Sequence, residues 1–171
     1  METIAFDKLL INTAFCCMAS DGHIDNKEIV LIKSMCKNSP LFENFNFEEE
    51  INYLVTELNT KGKEFISNYF DLLKYSTLTE QEELTLIDFA INTIKADDQI
   101  EYSEIKFFKN IRHRLKISDE NILKVYPDLE MYLEEDIIND SFLDKITRQY
   151  LDATELPQFD LISIDNSSQK D

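Results

Sequence analysis

Apolar side chains recur at Ile4, Phe6, Leu9, Leu10, Ala14, Cys17 and Met18, with Thr13 on the same face. That spacing of three and four predicts an amphipathic helix from Ile4 to Ala19. It should stop near Asp21-Gly22, because glycine favours the left-handed turn that ends a helix. A second helix is expected from about Asn26 to Lys37, with Ile29, Ile32 and Met35 on one face and Asn38-Ser39-Pro40 as its break. Asn46-Phe47-Glu48-Glu49 reads as the capped start of a helix through Leu58, and Lys61-Gly62 as a turn. Phe65, Ile66, Tyr69, Phe70, Leu72 and Leu73 mark the next helix. Thr79-Glu80-Gln81-Glu82 is a capping-box signature opening another that runs to about Ala96. Two more are expected over roughly 102–116 and 119–134, the second opened by Ser118, and a last one over 140–153. From Pro157 the sequence PQFDLISIDNSSQKD reads as a flexible acidic tail whose FDLISI stretch is a candidate for docking on a partner. The expected architecture is therefore an all-α, single-domain bundle of about seven to eight helices over residues 1–155, followed by a tail over 156–171.

A repeat lies within this pattern. With Asp21 set against Asp97, an offset of 76 residues, eight of 32 positions in Ala5–Cys36 and Gln81–Arg112 are identical. They are Leu10/Leu86, Ile11/Ile87, Ala14/Ala90, Asp21/Asp97, Ile24/Ile100, Glu28/Glu104, Ile29/Ile105 and Lys33/Lys109, enough to define a shared unit of helix, acidic turn and helix. Two copies predict a pseudo-symmetric bundle in which matched hairpins pack on each other.

The turns read SDGHIDNKEI (20–29) and ADDQIEYSEI (96–105), with the common form Asp-x-x-Ile-acid-x-x-Glu-Ile. Local physics explains much of it. With Asp25 as N-cap, Glu28 becomes the capping-box partner, and Ile24 and Ile29 fall where a hydrophobic staple forms. Two features go beyond capping. Glu101 replaces Asp25 although glutamate is a poor N-cap, and Asp21 and Asp97 stand at a helix C-terminus, where the dipole disfavours a carboxylate.

MASDGHIDNKEI (18–29) and IKADDQIEYSEI (94–105), each at a helix–helix turn, resemble the TerB-like family associated with tellurite resistance. They also resemble its relatives at the N-terminus of membrane-anchored J-domain co-chaperones, loosely over residues 1–135. The resemblance implies an all-α fold without catalytic chemistry. It implies an interaction module that meets a protein partner in bacterial stress-response or defence pathways, often beside a membrane, and an acidic divalent-cation site. Carried over residue by residue, that site comprises Asp21, Asp25 and Glu28 with Asp97, Glu101 and Glu104. Asp98 departs from the pattern where the first copy has Gly22, and joins the candidate metal ligands as a further carboxylate. The last half of the turn also matches a calcium-binding EF-hand loop. The first half lacks the oxygen ligands, offering Cys17 and Ala19, or Thr93 and Lys95, so an EF-hand is excluded. A cation gathered by acids alone would be Ca²⁺, Mg²⁺ or Mn²⁺.

Composition narrows the choice of function. Thirty-four acids against 17 bases give a formal charge of −17, which repels nucleic-acid phosphates. Residues 119–171 carry 14 acids and 4 bases, so the excess is concentrated there. Two separated glycines exclude any glycine-rich phosphate loop. Cys16, Cys17 and Cys36 have no zinc-finger spacing and read as core thiols. The N-terminus lacks a secretory pattern and no run reaches a membrane span, so a cytoplasmic location without membrane insertion is expected. His23 reads as a surface residue, because its counterpart is Gln99. Arg112-His113-Arg114-Leu115-Lys116 reads as cations at a helix C-terminus. There is no Gly-x-Ser-x-Gly and no His-Glu-x-x-His, so the chain is not expected to be an enzyme. Two readings of function lead: the cation-responsive TerB-like module, and a metal-independent helical adaptor that holds a protein through a groove or its C-terminal tail; a third, a metal-assisted hydrolase, would need an open coordination position beside a substrate cleft.

Overall fold

The computed structural model describes residues 4–96, 98–100, 102–133, 147–148, 151–152 and 155–163. Among them the chain is all-helical: α1 (Phe6–Ala19), α2 (Asn26–Lys37), α3 (Phe47–Lys61), α4 (Lys63–Tyr75), α5 (Glu80–Ile94), α6 (Tyr102–Arg112), α7 (Asp119–Val125) and α8 (Glu130–Leu133). Short 3₁₀ turns occupy Pro40–Phe42 and Pro127–Leu129.

α1 is the central helix. From Leu9 to Ala19 every side chain except Asn12 is buried, and a helix apolar nearly all round belongs inside a bundle. It lies along α5 and also touches α3, α4 and α6, while α2 packs on α5. The two matched hairpins, α1–α2 and α5–α6, therefore pack against each other as the repeat requires. Their paired positions Leu10/Leu86, Ile11/Ile87, Ala14/Ala90 and Ile32/Phe108 are all fully buried. α3 and α4 form a third hairpin, joined at Gly62. Its φ of 57° is the left-handed conformation that a side chain resists. The aromatic positions Phe65, Tyr69, Phe70, Phe107 and Phe108 are core residues, with the Phe70 and Phe107 rings 5.1 Å apart.

Three expectations need correction. The helix expected over 102–116 ends at Arg112. Beyond it the chain tightens into i→i+3 bonds, Arg114 N to Ile111 O at 3.0 Å and Leu115 N to Arg112 O at 3.2 Å. It then leaves the helical path, with Leu115 and Ile117 both buried. The helix expected over 119–134 is broken at Pro127, which has no N–H to give; Tyr126 before it is extended, with φ −127° and ψ 75°. The stretch from Pro157, expected as a free tail, is held against α3 as far as Ser163 (below). The last helix expected over 140–153 lies largely outside the described residues, with 147–148 and 151–152 helical.

Candidate functional site

The first acidic turn is built by its own carboxylates. α1 closes with Ser20 Oγ donating to Cys17 O (2.8 Å) and Gly22 N to Ala19 O (3.0 Å). Gly22 takes the expected left-handed conformation, φ 82°. Asp21 Oδ1 accepts from His23 N at 2.8 Å. This local turn bond explains an acid at a helix C-terminus, because the carboxylate reaches forward to an N–H instead of back to the exposed carbonyls. Asp25 caps α2, its Oδ1 accepting from Lys27 N at 2.7 Å, and Glu28 Oε2 accepts from Asp25 N at 2.8 Å. The capping box is complete, and Ile24 and Ile29 pack on the core beside it.

In the second turn, Asp97 and Glu101 lie outside the described residues. Asp98 stands in Gly22's place and adopts the same left-handed conformation, φ 62°, exposed to solvent. The two turns differ in their surroundings. A Cβ on Gly22 would sit 3.4 Å from Pro157 Cδ and 3.6 Å from the Glu155 carbonyl oxygen, in ordinary contact with the 155–157 segment, so a longer side chain there would lie against that segment. The second turn is open: Ile100 is 42% exposed, whereas its counterpart Ile24 is half-buried.

Of the candidate ligands among the described residues, Glu28 and Glu104 are the ones that the fold buries. Both are buried, 4% and 3% exposed, and both act on the Cys17 thiol between the matched hairpins. Burial is the main cause raising that thiol's pKa, with Cys16, Glu104 and Glu28 adding to it. Asp21, Asp25 and Asp98 stay at the periphery of the turns, exposed or half-buried. Among the described residues no group of three or more His, Cys, Asp or Glu is arranged to hold a metal.

Two features have no counterpart among the residues singled out above. Glu83 is 4% exposed and accepts from Lys116 N (3.0 Å to both oxygens) and Ile117 N (2.6 Å). It thereby pins the irregular 115–117 stretch to the start of α5. An acid on the helix face that carries Leu86, Ile87, Ala90 and Ile94 was the sequence signal available for it.

The second feature is a clamp on α3. Asn59 donates Nδ2 to Phe159 O (2.8 Å) and accepts from Phe159 N (2.8 Å). Asn52 does the same to Ile162, Nδ2 to O at 3.1 Å and N to Oδ1 at 2.8 Å. Gln158 Nε2 reaches Asn59 O at 3.3 Å, one of the carbonyls that the end of α3 leaves without a helical partner. Residues 155–163 thus run antiparallel to α3, with Leu156, Phe159 and Ile162 half-buried against the core. The signal here was a pair of asparagines, weak helix formers, seven apart within one helix.

Comparison with protein-family models, with curated proteins and with solved structures finds no match for the chain.

Proposed function

We propose that the chain is a non-catalytic helical interaction module of the TerB-like kind, serving a stress-response or defence system, whose α3 face holds an extended polypeptide. The observation that carries this reading is the double clamp: two side chains of one helix satisfy both main-chain groups of two residues in an extended segment. Reading a peptide's main-chain groups together with periodic apolar side chains is a general means of peptide recognition. The paired hairpins supply the fixed scaffold, and their matched turns are the feature on which the TerB-like reading rests. No helix of the described residues is long and apolar enough to cross a membrane.

Between the two readings of the acids, the hydrogen bonds favour the metal-independent adaptor. Asp21, Asp25 and Glu28 each accept from a backbone N–H of the turn, and those bonds account for their positions. A selection from a displayed library of random peptides, with the full chain as bait, tests the proposal. Enriched sequences whose binding depends on Asn52 and Asn59 support it. A library that yields no saturable binder counts against it.

A further inference from the structure

The clamp has a defined register. Asn52 and Asn59 are seven residues apart, so they share one face of α3 and are separated by about 10 Å along its axis. Phe159 and Ile162 are three residues apart, which in an extended chain also spans roughly 10 Å. The half-buried side chains of the segment, Leu156, Phe159 and Ile162, fall at every third position, the period of a polyproline-II chain. The residues between them face solvent, Leu161 with 66% of its surface exposed. The groove therefore reads a backbone at two points and an apolar side chain every third residue. Any extended peptide of that pattern can supply these features, provided that it has an N–H at both clamped positions.

The occupant now in the groove is a poor electrostatic match. It carries Glu155 and Asp160 on a chain of net charge −17. Running antiparallel to α3, it points its far end toward Glu48 and Glu49 in the first turn of that helix, where Glu50 is already paired with Lys8 at 3.2 Å. A partner with basic residues after its last apolar anchor would be drawn to those acids, whereas the chain's own segment gains nothing there.

Building on the peptide-holding reading above, we infer that residues 155–163 are a resident stand-in for a partner peptide, an extended segment with apolar residues at every third position followed by lysine or arginine, which displaces them from α3. The resident segment competes at the effective concentration of a tethered ligand, about millimolar for a short connection. Releasing it should strengthen binding from outside.

The test uses the full chain and a fluorescent peptide made of residues 155–163 followed by three lysines, read by fluorescence polarisation. Phe159→Pro with Ile162→Pro in the chain removes both clamped N–H groups and frees the groove. That variant should bind the probe at least about tenfold more tightly than the unaltered chain. Adding Asn52→Leu with Asn59→Leu should cancel the gain, and a probe with proline at its two clamped positions should not bind. A released variant that binds no better than the unaltered chain overturns the inference. A second measurement needs no altered chain: at saturating probe, the amides of Phe159 and Ile162 in the unaltered protein should exchange with solvent faster. Unchanged exchange overturns the inference, as does a shift to a dimer that trades segments between two copies without taking up the probe. If library peptides bind but ignore Asn52 and Asn59, this inference fails while a binding role elsewhere on the chain survives. If no peptide binds, both fail.

Discussion

Replacing Glu83 tests how the bundle holds its irregular stretch. Its carboxylate takes two backbone N–H groups, Lys116 at 3.0 Å and Ile117 at 2.6 Å, and is itself 4% exposed. Hydrogen bonds to a charged acceptor contribute about 1.5–3 kcal/mol each, and a buried donor left without a partner costs about 1–3 kcal/mol. Glu83→Ala removes both bonds and strands the Ile117 N–H, so a loss of about 3–5 kcal/mol is expected. Glu83→Gln keeps one acceptor oxygen but loses the charge and turns an NH₂ toward the Lys116 N–H, for a loss of about 1–2 kcal/mol. Against a typical domain stability of about 5–15 kcal/mol, the alanine variant should be visibly weakened. Urea unfolding followed by circular dichroism measures both, with the midpoint falling and the slope unchanged. An alanine variant within about 0.5 kcal/mol of the original would refute the argument that this carboxylate holds the irregular 115–117 stretch in place.

Three further outcomes follow from the same structure. Gly22→Ala, at φ 82°, should destabilise by about 1–2 kcal/mol, whereas Asp98→Gly, at φ 62°, should be neutral or stabilising; thermal melts that show equal losses would contradict the left-handed backbone of the two turns. Asp25→Ala should cost about 1 kcal/mol of capping, and Asp21→Asn, which can still accept from His23 N, less than about 0.5 kcal/mol. Neither change should depend on Ca²⁺, Mg²⁺ or Mn²⁺. A cation-induced rise in the melting temperature that disappears in these variants would restore a metal site at the turns. Finally, burial raises the pKa of all three thiols, that of Cys36 to about 12, so none should react with a thiol reagent at pH 8 until the chain is unfolded, when three should react. Because the folded pKa values lie above those of the unfolded chain, the thiols' contribution to stability is complete below about pH 8.5 and is lost as the pH rises beyond it. Stability that holds level through pH 10 would contradict that burial.

Local signals carried most of the fold. The three-and-four spacing in α1, the Asp25 and Thr79 capping boxes and the left-handed Gly22 and Gly62 sit within a few residues of what they determine, and a sequence reading finds them. The path beyond α6 was hidden because the carboxylate that holds it, Glu83, lies 33 and 34 residues from the two N–H groups it accepts from and shows itself only as an acid on an apolar face. Pro127 was a readable break that the periodicity around it obscured. Asn52 and Asn59 could be flagged as odd residues for a helix. Their partners, about a hundred residues further on, could not, because no local period links a helix face to an extended segment. The acidic turns show the opposite case. Their pattern stood out in the sequence because it occurs twice, yet in the described copy each acid serves the turn that contains it.

Amide hydrogen exchange at Phe159 and Ile162, measured residue by residue in the unaltered chain and in the variant with Asn52→Leu and Asn59→Leu, bears most directly on the claim that α3 grips an extended polypeptide. The clamp predicts protection at these two amides in the unaltered chain, loss of that protection in the variant, and little change at the amides of α1 and α5. Equal, fast exchange at Phe159 and Ile162 in both proteins would contradict it.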